Sequence, residues 1–223
     1  MRKINVIKGD MMFQWKYGFY FLYGIMLVIY FILFSFVQGD ARDKLVDICV
    51  YSDPAAMGMF FMGAILLLEK SQHVISSVAV SPMTVGEYIF GKIASIGIIS
   101  LVVGMVLVTQ GHTKNYLLSA IGIVGGSFIF SLCGVIVGTM ISSINQYVVA
   151  TIPFEIIGFV PVILYRLGVL PDSVWMLMHP GCAAMEMIEG NMSVLLLAFC
   201  SLLVWLIVLY FIAEKCVRKM LCC

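Results

Sequence analysis

Residues 69–87 read EKSQHVISSVAVSPMTVGE and join two apolar runs, 48–68 and 88–109. Each run is long enough to cross a membrane, because a helix needs about 20 apolar residues to span a hydrocarbon core of about 30 Å. Within the join, Val74, Ile75 and Val78 recur at helical spacing, while Ser71, Gln72, Ser76 and Ser77 cover the opposite side. Pro82 disfavours helix at Ser81 and should stop this segment there. Thr84-Val85-Gly86-Glu87 then has the spacing of a capping box that opens the next helix. The pattern predicts a short amphipathic helix held between two spans. An ordinary surface loop explains neither the period nor the two punctuation marks.

Four more segments of this kind follow outward in both directions, at 18–37, 116–141, 147–165 and 192–213. The expected fold is therefore an all-α membrane protein with six transmembrane helices: an arm at 1–17, then a six-span domain at 18–223. Composition agrees. The chain is 62% hydrophobic, only 11% charged, and has a mean hydropathy of +1.09. A soluble domain carries about a quarter charged residues. A formal net charge of +1 argues against a nucleic-acid partner, which would need a basic patch. The first span is too long for a cleaved leader, and no small-residue cleavage site follows it.

Lysine and arginine set the expected orientation. Nine fall on the side of the arm, the 69–87 loop and the carboxy-terminal tail. Four (Arg42, Lys44, Lys114 and Arg166) fall opposite, together with Asp40, Asp43, Asp47, Asp172, Glu186 and Glu189. Both termini are thus placed in the cytoplasm.

Two further stretches are not plain spans. In the arm, Ile4, Val6, Ile7, Met11, Met12, Phe13 and Trp15 alternate with Lys3, Lys8, Asp10 and Lys16. Such a segment lies along the interface with Trp15 and Tyr17 at headgroup depth, either as a topogenic anchor or as a mechanical elbow helix. In the outer stretch 168–191, Pro171-Asp172 reads as a helix start and Pro180-Gly181 as its end. So short a helix cannot span, and a re-entrant or interfacial helix before the last span is expected.

Gly122, Gly126, Gly134 and Gly138 form two GxxxG pairs, read as packing without an assigned partner. Glu155, between Pro153 and Pro161 in the fifth span, either lines a substrate or ion path or sits near the inner interface, and the second reading weighs more. Asp53, expected near the outer end of the second span, is open in the same way.

The seven cysteines are scattered without a CxxC pair and read as small apolar side chains, with Cys222-Cys223 as a candidate acylation pair. His73, His112 and His179 lack metalloprotease spacing, no serine sits in GxSxG, and no GxxxxGK[ST] loop occurs. A metal site or an enzyme is not expected.

Residues 69–92, EKSQHVISSVAVSPMTVGEYIFGK, resemble the signature loop of type 2 ABC exporter permeases. That loop typically reads Glu-Lys-Glu-x-Gly-Thr, an apolar stretch, Thr/Ser-Pro-Leu-Ser and Tyr-Leu-x-Gly-Lys. Glu69, Lys70, Ser81, Pro82, Tyr88, Gly91 and Lys92 stand in matching places, while Ser71, His73 and Val74 depart from Glu, Gly and Thr. The arm's FQWKYGFY (13–20) is similar to the amino terminus of fluoroquinolone-export-like permeases.

The resemblance implies a permease subunit in a bacterial plasma membrane, exporting an amphipathic small molecule or peptide by alternating access. It implies pairing with a second six-span subunit, identical or not, and docking of a separate ATP-binding subunit that holds the ATP and Mg. The 69–87 loop would be the coupling helix, with Glu69, Lys70, Val74, Val78, Ser81, Pro82 and Glu87 contributing to it. The alternative is a self-contained ion-coupled transporter or channel, in which Glu155 and Asp53 would handle the ion.

Overall fold

The computed structural model describes residues 2–113, 115–171 and 173–222, with side chains left out at 2–5, 54–56 and 222. Lys114 of the charge count, Asp172 of the expected helix start and the acylation pair therefore fall outside it, wholly or in their side chains.

Nine α-helices occur among the described residues: α1 (Arg2–Lys16), α2 (Phe19–Ser35), α3 (Asp40–Ser71), α4 (Val74–Ala79), α5 (Val85–Val108), α6 (Tyr116–Met140), α7 (Ile144–Arg166), α8 (Pro180–Glu189) and α9 (Leu195–Cys222). A 3-10 turn, Val174–Met178, precedes α8, and no strand occurs among the described residues. The protein is an all-α membrane protein. Helices α3, α5, α6, α7 and α9 are each long and apolar enough to cross a bilayer. The bent pair α1–α2, whose axes meet at 66°, passes the same test when taken together and brings the candidates to six. With 17 residues, α2 reaches about 26 Å at 1.5 Å per residue, the short end of what spans.

Helix α6 sits at the centre and packs on α3, α5, α8 and α9. In the apolar 18-residue stretch of each helix, two thirds or more of α3, α5 and α6 is buried, against 17% of α7 and 11% of α9. Three inner helices thus form the core, and α2, α7 and α9 turn apolar faces outward. The glycines of α6 divide between two partners. A Cβ on Gly122 would stand 2.9 Å from the Ala184 carbonyl oxygen of α8, and one on Gly134 would stand 2.8 Å from that of Met59 on α3. Gly122 therefore seats α8 while Gly134 and Gly138 seat α3, because only a bare Cα lets the helices come this close, whereas Gly126 has room for a Cβ.

Two boundaries differ from expectation. Helix α3 starts at Asp40, eight residues before the expected span. Asp40 and Asp43 lie in its first turn, where carboxylates favour the positive helix end. Asp53 accordingly lies well inside a 32-residue helix and not close to its end. The short helix expected to stop at Pro180-Gly181 is the 3-10 turn that ends at Met178, and Pro180 also begins a further helix, α8. Proline at the first helical position gives up only an N–H that would go unpaired anyway. The Gly181 N–H donates to His179 Nδ1 at 3.2 Å, and Gly190, at φ 80°, closes the helix.

Candidate functional site

The loop joining α3 to α5 is tied down at both ends by side chains from its own signature. Thr84 caps α5. Its Oγ1 accepts from the Glu87 N–H at 3.2 Å, and Glu87 Oε2 accepts from the Thr84 N–H at 2.9 Å, the full capping box. Ser81 Oγ donates to the Val78 carbonyl and accepts from the Met83 N–H, and α4 ends at Ala79, just short of Ser81-Pro82.

Glu69 and Lys70 are not part of α4. Both belong to the last turn of α3 and point inward. Glu69 is 6% exposed and Lys92, two turns into α5, is 2% exposed. Their Oε1–Nζ separation is 2.6 Å, and the Tyr88 hydroxyl donates to the other Glu69 oxygen at 2.7 Å. The Lys92 ammonium also lies 3.2 Å from Asp10 of α1 and 4.8 Å from the Tyr88 ring centre. Every charge in this buried cluster is met, the condition on which such a group can exist in a low-dielectric interior. Burial pushes the Asp10 carboxyl above its ordinary value, and Lys92 opposes the shift. Lys70 donates to the carbonyls of Gly138, Thr139 and Ile141 at 2.8–2.9 Å, a cation on the frayed carboxy end of α6.

The arm is part of the same assembly. Gln14 is buried and donates to Ser95 at 2.8 Å, and the Gln72 amide donates to the Tyr17 hydroxyl at 2.6 Å. Gly91 makes room for it, since a Cβ there would stand 2.4 Å from Val6. Meanwhile Trp15 is 73% exposed on the arm's other face. The arm, the end of α3 and the start of α5 thus form one block that carries α4.

On α4, Ile75 and Val78 pack back against the core and Val74 is half-buried. Its free side offers Ser76 and Ser77, and Val80, just past its end, is 88% exposed. His73, between α3 and α4, has φ 57°. It is the one described non-glycine residue in the left-handed region, where an L side chain costs about 1–2 kcal/mol. The signature loop of type 2 permeases has glycine at this place. His73→Gly is expected to stabilise the fold by about 1 kcal/mol, after the extra backbone entropy glycine loses. The check is a higher unfolding temperature in detergent.

Glu155 and Asp53 are not brought together. Asp53, buried on α3, lies beside Tyr30 of α2, whereas Glu155 lies on α7 beside Thr151. Asp53 Oδ2 and Glu155 Oε1 are each buried without a partner.

Sequence reading passed over the opposite end of the bundle. Arg166 pairs with Asp47 and, at 3.3 Å, with Glu189. Tyr165 and Asn191 donate to the two oxygens of Glu186. These acids, counted only as charges on one side, clasp α3, α7 and α8 together. His179 performs a second fastening. Pro161 lacks an N–H and so frees the Ile157 carbonyl of α7, which His179 Nε2 meets at 3.0 Å. The sequence signal was a histidine before Pro-Gly and a proline four residues after an unpaired carbonyl, legible only once the two segments are adjacent.

No protein-family profile matches the chain. Two curated proteins do: the fluoroquinolones export permease proteins of Mycobacterium tuberculosis strains CDC 1551 / Oshkosh and ATCC 25618 / H37Rv. Each is 31% identical over 125 residues, covering 55% of this chain and 52% of the relative. Over that stretch the chain is similar to these export permeases. It spans about half the length of the curated relatives it matches. The match agrees with the type 2 ABC exporter resemblance read from residues 69–92.

Proposed function

We propose that the chain is the membrane-spanning permease subunit of an ATP-driven exporter, with hydrolysis on a separate ATP-binding subunit that docks at α4. The observation that supports this most is the mounting of α4: a short helix fixed by a capping box on one side and by the buried Glu69–Lys92–Tyr88 cluster on the other. A force applied to such a helix passes to α3, α5 and the arm together. With α4 and both termini on the cytoplasmic side of a bacterial membrane, nucleotide-driven closure of the partner would rock the helices between inward- and outward-open states. A second six-span subunit would complete the pathway, and the outward apolar faces of α2, α7 and α9 would meet it or lipid. The cargo is an amphipathic small molecule or peptide, a class to which the cargo in the relatives' names, fluoroquinolones, belongs.

Purification in mild detergent tests the reading. The full chain should bring down an ATP-binding subunit bearing a P-loop, and vanadate-sensitive ATPase activity should accompany it. Failure of any such subunit to co-purify from native membranes overturns it. The unpartnered oxygens of Asp53 and Glu155 favour a second reading, a self-contained ion-coupled transporter. In that case the lone chain in liposomes would carry ion flux without ATP, and Asp53→Asn would abolish it.

A further inference from the structure

Three polar-tipped aromatic side chains at the α8 end spend their polar atoms on backbone carbonyls. The Tyr51 hydroxyl donates to Gly158 at 2.9 Å, Trp205 Nε1 to Met178 at 3.0 Å, and His179 to Ile157. Because Nδ1 of His179 accepts the Gly181 N–H, its proton sits on Nε2 and the ring is neutral. The apolar bodies of these three rings line a cavity of about 260 Å³ between α6, α7, α9 and the start of α8, with Phe130 and Phe154 completing its wall. None of the side chains lining it carries a charge. The rings brace one another: Tyr51 meets Phe130 edge-on at 6.1 Å, and Phe130 stacks on Phe159 at 5.1 Å. Gly126 also faces the space, and a Cβ there would find only Ala184 Cβ, at an ordinary 3.8 Å. The hollow therefore survives because its ring bodies are pinned by their tips and cannot swing in to fill it.

We infer that this cavity is a binding site for an uncharged, planar aromatic molecule of one or two fused rings. Its size sits just below the range of about 300–1,000 Å³ usual for small-molecule pockets. Its wall of rings offers the edge and face contacts that an aromatic guest uses better than a flexible chain does. A site with every polar tip already satisfied selects against charged or strongly hydrogen-bonding guests, which would lose their water without replacement. As a cargo site it rests on the export reading and narrows the cargo to molecules with an apolar aromatic end.

The test uses the full chain in lipid nanodiscs, without nucleotide or partner. Trp15→Phe and Trp175→Phe change two exposed positions and leave Trp205 as the one tryptophan. The probe is 1-nitronaphthalene, a neutral two-ring quencher. Quenching of Trp205 should saturate above the linear background of probe dissolved in lipid. Gly126→Leu should remove the saturable part, lowering affinity at least tenfold at an unchanged unfolding temperature, and Gly126→Ala should lower it less. In nanodiscs of dibrominated phosphatidylcholine, Trp205 should be no more quenched than in Gly126→Leu. Purely linear quenching by the probe, saturable quenching unaffected by both Gly126 variants, or strong bromine quenching relieved by Gly126→Leu, which marks an acyl chain as the occupant, each overturns the site. None of these depends on an ATP-binding subunit. A failed site thus leaves the export reading standing, and a failed export reading leaves binding measurable.

Discussion

Lys92→Met should destabilise the fold by about 3–5 kcal/mol, the usual cost of leaving a buried charge without its partner. The ammonium is nearly inaccessible and lies within 3.2 Å of both Glu69 and Asp10. Methionine fills much the same space, so the loss is electrostatic and not a cavity. Glu69 keeps only the Tyr88 hydroxyl, and two carboxyls that had shared a cation now face each other. The variant should unfold at a clearly lower temperature in mild detergent, and its arm should be released to protease first, since Asp10 is the arm's ionic contact with α5. The cycle with Glu69→Gln decides the cause. Lys92→Met combined with Glu69→Gln should recover part of the loss, because the buried carboxylate is gone. If the double variant is as unstable as the two single losses added together, the residues are not coupled and the cluster is not what fixes the loop.

Much of this site was legible in residues 69–92, but not all of it in its right role. Apolar periodicity placed α4, and Thr84 with Glu87 placed the start of α5, because both signals act within a few residues of one another. Glu69, Lys70 and Lys92 were visible as signature positions. Their work was not, because it depends on contacts with residues up to 82 positions away, Asp10 and the carboxy end of α6 among them. A charged residue at the edge of an apolar run reads as a boundary marker, yet here Glu69 closes an interior network. The same limit explains Pro180. Proline before glycine ends one short helix here and also starts the next, and the start turned on His179 behind it and Gly190 ahead. The glycines of α6 were readable as a close-packing stripe, but their two different partners were not, since nothing local in a glycine says which backbone approaches it.

Val80→Asp should cut ATP-dependent export at least tenfold while leaving the membrane level and unfolding temperature of the chain unchanged. Periodicity alone pointed to Val74 and Val78 for this purpose. Val78, however, packs against the body, so a charge there would damage the fold and mimic an uncoupled transporter. Val80, one residue past the end of α4, stands out at 88% exposure near Ser76 and Ser77, while Ile75 and Val78 pack back against the body. An apolar side chain so placed on a membrane protein's polar end is poorly matched to water and well matched to an apolar socket. Aspartate in that socket would lose its hydration without a counter-charge, a cost large enough to weaken docking of the ATP-binding subunit a hundredfold. Val80→Ala, which only shortens the contact, should fall between the two. Co-purification and export must drop together for the coupling reading to hold. Export that persists with Val80→Asp would move the docking surface off α4, and ATP-independent ion flux unaffected by it would instead favour the carboxylates Asp53 and Glu155 as the working groups.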